Sequence, residues 1–227
     1  MNFLIPSNQA KYELISFGDL VVSPTYLENM QMAAHDKPWL EQFDAYGKRI
    51  DKIHTNPGWG FFKNESARNR LICQPYSTDL SNKDCGSHRI MQVCKLHLFH
   101  ASSSMFSCPL AMTDGATTVI RNILKGNKEQ YEKETISKLQ NAYNHLTSSD
   151  PTQFWTSGQW MTEKRGGSDV GNSTDTVAVK NKGDDYKLYG FKWFTSAIDA
   201  DMTLTLARSI LDKKPVNGTK GLNMYFA

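Results

Sequence analysis

The spacing of apolar residues changes character near residue 150, and this change restricts the folds open to the chain. Before that point the pattern is helical with few strand signals. After it, short alternating segments are separated by Gly, Asn and Asp turns. We place a boundary at Ser148-Ser149-Asp150-Pro151, because proline after aspartate stops a helix. The sequence therefore predicts an α+β protein, with an all-α N-terminal domain at 1–150 and a β-domain at 151–227.

Two helices stand out in the first part of the chain. The pattern over 128–146 predicts a surface helix with one buried stripe, formed by Tyr131, Thr135, Leu139, Ala142 and Leu146. A second helix is predicted over 87–99, with a core-facing side formed by Ile90, Val93, Cys94, His97 and Leu98. Earlier aromatic residues, Trp39 and Phe43 among them, are expected to supply core material.

The second part of the chain reads as strands. We predict strands at 176–180 and 186–195 joined by a turn at 181–185, followed by strands at 202–208 and 221–226. About five antiparallel strands are too few to close a barrel, and the last strand has an unpaired edge. Either another chain covers that edge or the sequence is incomplete, and incompleteness is the expectation.

Composition excludes several classes of protein. Apolar residues make up 39% and charged residues 22% of the 227 residues, as in globular proteins. The net charge of +3 is mild and no Lys/Arg run is present, so nucleic acid is not an expected partner. No apolar stretch approaches the length of a membrane span, and the N-terminus does not resemble a secretory signal. We expect a soluble intracellular protein, either mitochondrial or cytoplasmic.

The most specific segment is Gln159-Trp160-Met161-Thr162-Glu163-Lys164-Arg165-Gly166-Gly167-Ser168-Asp169-Val170. Its glycines allow close backbone approach, so the loop amides and a hydroxyl can cradle a phosphate. It is neither a Walker loop nor a hydrolase nucleophile elbow, because the residues required at those spacings are missing. A tight surface turn is the alternative interpretation.

A second segment, Tyr186 to Ser196, ends in Trp193-Phe194-Thr195. A large ring followed two residues later by a hydroxyl can stack on a planar heterocycle and hydrogen-bond to it. Taken alone, Trp193 is better explained as a core residue.

Together, and in this order, the two segments resemble the acyl-CoA dehydrogenase family. The family's middle domain has a strand ending in Thr-Glu, a Gly-Gly-Ser-Asp loop and an aromatic-x-Thr strand. It also has an Ala-Asp…Ala-Arg strand, which appears here as Ala200-Asp201 to Ala207-Arg208. The wording of 161–170 is closest to the branch of the bacterial adaptive-response acyl-CoA dehydrogenase and its animal relatives. Segments 43–51 and 107–113 resemble helical-domain segments of that branch.

The resemblance implies an FAD cofactor and an acyl-CoA substrate. It places Met161 and Thr162 at the polar edge of the flavin ring. It places Gly167 and Ser168 at the FAD pyrophosphate, with Ser168 also near the acyl-CoA thioester. Trp193 is expected to lie against the isoalloxazine, with Phe194 and Thr195 in support near the reactive nitrogen. It also implies a further C-terminal helical bundle, and a homodimer or homotetramer for the full-length form.

The resemblance assigns no catalytic base to this chain. Dehydrogenation needs a carboxylate to take the α-proton, and in the family that carboxylate comes from the C-terminal helical domain. Glu163 and Asp169 are interpreted as residues that shape the loop. We therefore predict an FAD-dependent acyl-CoA dehydrogenase present as a fragment without its base. The alternative is a non-catalytic truncated isoform that binds flavin, acyl-CoA or a full-length partner subunit.

A zinc site is the strongest rival hypothesis. Cys85, His88, Cys94 and His97 have spacings that resemble a zinc ligand set. They fall on a predicted helix whose apolar spacing already explains Cys94 and His97, so no metal is predicted.

Overall fold

The computed structural model describes residues 8–77, 85–211, 214–216 and 218–227. They form two compact units. One comprises the described residues of Met1–Ala111 together with His145–Phe154, and the other comprises those of Met112–Asn144 and Trp155–Ala227. The domain bounds 1–150 and 151–227 stay a prediction. None of the helices within the described ranges is long and apolar enough to cross a lipid bilayer.

The first unit is mainly helical. It holds α1 (Asn8–Val21), α2 (Pro24–His35), α3 (Pro57–Arg68), α4 (Cys85–His100), the start of α5 (Ser107–Lys125) and a 3-10 turn at Gln74–Tyr76. Two of these helices begin with proline after a capping side chain. Ser23 caps α2, and the Asn56 side chain accepts the Trp59 amide at 2.8 Å to cap α3.

Aromatic rings fill the core of this unit. Tyr26 is buried with the rings of Phe61, Phe62 and Phe99 around it, at centroid distances of 5.2 to 6.4 Å and steep interplanar angles. Edge-to-face packing of this kind favours the attraction between ring edges and ring faces. This aromatic cluster therefore joins α2, α3 and α4.

The helical unit also contains a hairpin that an all-α prediction omits. Strands β1 (Trp39–Phe43) and β2 (Arg49–His54) pair antiparallel. The turn is made by Asp44, whose side chain accepts two backbone amides at 2.9 Å, and by Gly47 at φ +80°. Trp39 and Phe43 are more than half exposed, so their expected place in the core is wrong. Because both faces of this hairpin are accessible, its aromatic residues give no burial signal.

Helix α4 is confirmed, but its predicted buried face is wrong. Val93 and His97 are exposed, and the buried side chains are instead Met91, Gln92, Lys95 and Phe99. The rotation follows from two buried polar residues that bond to other parts of the chain: Gln92 donates to the Leu71 carbonyl at 2.8 Å, and Lys95 pairs with Glu13 of α1. A pattern of apolar residues alone cannot predict a helix face that is buried through polar side chains.

The second unit combines helices with a six-stranded sheet. After the remainder of α5 come a 3-10 turn at Lys128–Gln130, α6 (Lys133–Leu146), β3 (Ser157–Trp160), α7 (Val170–Ser173), β4 (Val177–Lys182), β5 (Asp185–Tyr189), β6 (Met202–Leu211), β7 (Lys214–Pro215), a 3-10 turn at Thr219–Gly221 and β8 (Leu222–Phe226). The predicted helix over 128–146 is confirmed from Lys133 onward, with Leu139, Ala142 and Leu146 buried. Asp184 fixes its start by accepting the Glu132 amide at 2.8 Å.

The sheet is mixed, which corrects the antiparallel prediction. β6 lies at its centre and runs parallel to β3 and β4 but antiparallel to β7 and β8. The parallel pairings arise because long connections return the chain in the same direction. The β4–β5 hairpin is antiparallel as predicted, with Gly183 at φ +56° in its turn.

The predicted strand over 186–195 ends early, at Tyr189. The next residue is Gly190, where a Cβ atom would lie 2.1 Å from the Thr176 hydroxyl oxygen. The chain passes too close to the start of β4 to continue the ladder, so 191–195 leave the sheet as an irregular segment. This departure brings Trp193 back toward the end of β3.

Candidate functional site

The end of β3 is anchored on both sides. The Trp160 carbonyl accepts the Thr205 hydroxyl of β6 at 2.6 Å, and the Trp160 indole N–H donates to the Ser196 carbonyl at 3.2 Å. Met161 and Thr162 follow directly and are half-buried. Their backbone is thereby fixed next to the segment that carries the predicted aromatic residues.

Trp193 meets this strand end through its backbone. Its amide donates to the Thr162 carbonyl at 3.0 Å, and its side chain is 44% exposed. Phe191 and Phe194 flank the indole at centroid distances of 6.0 and 5.7 Å. The core interpretation of Trp193 does not hold, because nearly half of the ring surface is open. The rings of Phe191, Trp193 and Phe194 instead form an aromatic segment whose backbone is bonded to Thr162.

Phe194 combines exposure with an unusual backbone. The residue has φ +52°, in the left-handed region that non-glycine residues rarely adopt, and its side chain is 82% exposed. Strain of this kind persists where the surrounding structure fixes the chain, and it is frequent at ligand sites. Thr195 follows and is half-buried.

The glycine loop begins with a tight turn at the end of the same strand. Glu163 and Gly166 exchange backbone hydrogen bonds of 3.0 and 3.2 Å. A Cβ atom at Gly167 would lie 3.3 Å from the Thr162 side chain, so glycine allows the two segments to approach. Ser168 is exposed, and Asp169 caps the short helix α7 by accepting the Asn172 amide.

Glu163 itself is buried beneath the loop. Its carboxylate accepts the Asp175 amide at 2.6 Å, the Thr176 amide at 3.2 Å, the Thr176 hydroxyl and the Lys192 ammonium at 2.7 Å. Burial alone raises the pKa of the Glu163 carboxyl. The hydrogen bonds from Lys192, Thr176 and Asp175 outweigh it, so the pKa lies below the ordinary value. This carboxylate is therefore ionised and already accepts hydrogen bonds from four donors. These contacts indicate a structural role and not that of a catalytic base.

The sequence interpretation assigned no role to Arg208, which is also buried. Its guanidinium donates to the carbonyls of Gly171, Thr174, Val216 and Gly218 at 2.6 to 3.0 Å. It thus holds the far side of the same loop from within. A charged residue at an inward-facing position of β6 is the signal that could have revealed it.

The rival zinc ligands lie along α4. His88 and His97 are nine positions apart on this helix, and the Cys85 side chain lies outside the described residues. Within the described parts of the chain, no group of three or more His, Cys, Asp and Glu side chains is arranged to hold a metal ion.

The loop has residue types that could hold a phosphate, and the aromatic segment has a ring that could stack on a planar heterocycle. Thr162 is central to the arrangement, because it bonds to Trp193 through its carbonyl and approaches Gly167 through its side chain. An exposed ring suits stacking, and a loop without a Cβ suits a phosphate at close range. The roles of the seven predicted residues stay a prediction, but the structure brings Gly167 and Trp193 together at Thr162.

Comparison with known families and structures is consistent with this arrangement. Residues 5–145 match the adaptive response protein AidB N-terminal domain, and residues 158–226 match the acyl-CoA dehydrogenase middle domain. The chain therefore belongs to the acyl-CoA dehydrogenase family, in the branch that carries the AidB N-terminal domain.

Two relatives agree with this placement. The chain is 40% identical over 215 residues to acyl-CoA dehydrogenase family member 11 of Caenorhabditis elegans, covering 94% of this chain and 33% of that protein. It is 29% identical over 197 residues to the putative acyl-CoA dehydrogenase AidB of Escherichia coli (strain K12), covering 86% and 35%. The chain thus spans about a third of the length of these curated relatives.

Solved structures confirm the predicted fold class. Caenorhabditis elegans ACDH-11 in complex with C11-CoA matches with a TM-score of 0.89 at 39% identity, over 99% of this chain and 37% of that chain. Butyryl-CoA dehydrogenase from Megasphaera elsdenii matches with a TM-score of 0.61 at 18% identity, over 100% and 50%. The second likeness is one of fold alone.

Proposed function

We propose that this chain forms the flavin-binding part of an FAD-dependent acyl-CoA dehydrogenase, an enzyme that removes α and β hydrogens from an acyl-CoA thioester. The observation that carries the proposal is the half-exposed Trp193, bonded through its backbone to Thr162 beside the Gly167 loop. The C11-CoA bound to the similar ACDH-11 supports an acyl-CoA ligand. The proposal includes a homodimer or homotetramer for the full-length form.

In this proposal each segment has one task. Met161 and Thr162 present backbone groups and a hydroxyl to the polar edge of the flavin ring, and Trp193 stacks on its face with Phe194 and Thr195 in support. Gly167 and Ser168 bind the pyrophosphate, with Ser168 also near the thioester. When bound, FAD supplies the oxidising chemistry by accepting the hydride that leaves the acyl chain. No residue of this chain is proposed as the base, since Glu163 is ionised and already holds four donors.

A titration of the purified chain with FAD tests the proposal. We expect saturable binding with quenched flavin fluorescence, and at least tenfold weaker binding for Trp193→Ala, because the stacking surface is removed. Trp39→Ala is the matched control, since it deletes another exposed tryptophan that belongs to the helical unit. The same loss in both variants, or no FAD binding by the unmodified chain, would contradict the proposal.

Addition of an acyl-CoA to the FAD complex tests the non-catalytic alternative. Loss of visible flavin absorbance would show that the complex dehydrogenates acyl-CoA. An unchanged spectrum together with measurable acyl-CoA binding would agree both with the non-catalytic binding protein and with a dehydrogenase part that has no base of its own. The engaged state of Glu163 predicts the second result for the chain tested alone.

A further inference from the structure

Glu163 connects three parts of the candidate site through a single buried carboxylate. Its four donors come from two distant places, the residues Asp175 and Thr176 at the far end of the glycine loop and Lys192 in the aromatic segment. The loop therefore starts at Glu163 and is closed, 12 positions later, on the side chain of that same residue. Its span is fixed by one side chain.

The backbone of Glu163 repeats this connection. It pairs with Gly166 to form the first turn of the loop, and it forms an isolated bridge with Lys192, the residue before Trp193. Lys192 in turn donates from its ammonium to the Leu206 carbonyl of β6 at 2.7 Å. The loop and the aromatic segment are consequently held against the sheet at a common point.

The burial of the pair makes this connection energetically demanding. The Glu163 and Lys192 side chains are 4% and 13% exposed, so water cannot solvate either charge unless the site opens. When one partner of such a pair is removed, the other is left as an uncompensated buried charge. The loop and the aromatic segment must then shift for water to reach it.

We propose that Glu163 and Lys192 are positioning residues, which fix the distance between the loop around Gly167 and Ser168 and the indole of Trp193. The inference rests on the proposed FAD function. A ligand that reaches both places, with a phosphate at the loop and a ring at Trp193, requires this distance. A ligand that carries the ring alone does not.

The test compares FAD with riboflavin, which has the ring but no phosphate. We expect Glu163→Gln to weaken FAD binding at least tenfold and riboflavin binding less than threefold, so that most of the affinity advantage of FAD is lost. Lys192→Met should have a similar effect. The double variant should bind FAD more tightly than the product of the two single losses predicts, because no buried charge remains.

Two further variants keep the test decisive. Glu134→Gln is the matched control, since Glu134 is an exposed glutamate of the same unit paired with Lys138 at 3.0 Å, and we expect no change in either affinity. If Glu163→Gln fails to fold by circular dichroism, Thr176→Val removes one donor to Glu163 and should shift the FAD-to-riboflavin ratio in the same direction.

The outcomes separate the two proposals. If the unmodified chain does not bind FAD, the proposed function fails. If it binds FAD, and the folded Glu163 and Thr176 variants keep the normal FAD-to-riboflavin ratio, the positioning role is overturned while the function stands. Equal weakening of both ligands would indicate a general loss of structure and would also overturn it.

Discussion

The helical unit and the sheet-containing unit each bury a lysine–glutamate pair, and the two pairs are built in opposite ways. In the helical unit Lys95 is the buried member, with a side chain 4% exposed, while its partner Glu13 is 39% exposed. In the other unit the carboxylate of Glu163 is the more buried member. In the first pair a buried cation has a partner that is still exposed to water. In the second pair the carboxylate itself is buried away from water.

The partners around the two pairs differ as well. Lys95 joins α4 to α1 and has one further acceptor, the Asn69 carbonyl at 3.1 Å. Glu163 collects two backbone amides and a hydroxyl in addition to its lysine, all of them from irregular segments. The first pair ties regular helices together. The second pair holds together segments that lack regular structure, because the loop and the aromatic segment have few ladder hydrogen bonds of their own.

The largest expected effect is that of Glu163→Ala. The substitution leaves Lys192 buried with the Leu206 carbonyl as a partner and removes the acceptor of two amides. We expect a loss of about 3–5 kcal/mol in the free energy of unfolding of the sheet-containing unit. Urea denaturation followed by circular dichroism measures it. A loss below about 1 kcal/mol would contradict a stabilising role for the buried network around Glu163.

In the helical unit the order of effects within the pair sharpens the comparison. Glu13→Gln leaves the buried Lys95 ammonium without its counter-ion, and we expect a loss of about 2–3 kcal/mol. Lys95→Met leaves a glutamate that water can reach, so the expected loss is about 1 kcal/mol. Both losses in the free energy of unfolding are to be measured from the midpoints of urea denaturation. Equal losses, or the reverse order, would show that the exposure of the partner does not determine the cost.

The sequence predicted those parts of the fold that local signals determine. Helix α6 follows from its apolar stripe, and the β4–β5 hairpin follows from turn residues that include Gly183. The parallel pairing of β3 with β6 could not be predicted this way, since it joins segments more than 40 residues apart. The buried face of α4 was wrong because Gln92 and Lys95 are buried through partners elsewhere in the chain.

The same division applies to the candidate site. The residue types of the glycine loop and of Trp193 are visible in the sequence, and they led to the segments that the structure brings together. The network around Glu163 was missed, because Thr176 and Lys192 follow it by 13 and 29 positions, intervals that match no helical or strand period. Tertiary contacts create this network, and only the folded chain displays it.

Acid should weaken the buried network around Glu163. The folded-state pKa of Glu163 lies below its ordinary value of 4.5. The carboxylate therefore contributes stability that is fully present above the ordinary value and is lost as the pH falls through the folded pKa. A protonated carboxyl still accepts hydrogen bonds, so the effect is smaller than that of deletion. Urea midpoints below pH 4.5 should show the difference between wild type and Glu163→Gln narrowing; a constant difference would contradict this.

The smallest expected effect belongs to Arg165→Gln, which breaks an ion pair of the same glycine loop. Arg165 contacts Asp175 at 3.0 Å, but the two side chains are largely in water. We expect a loss of at most about 0.5 kcal/mol, which added salt should remove because exposed charges are screened. Asp175 takes part in this exposed ion pair through its carboxylate and in the buried network of Glu163 through its backbone amide. A loss comparable to that of Glu163→Ala would therefore assign the loop's stability to surface charge, and the contrast between buried and exposed partners would fail within a single loop.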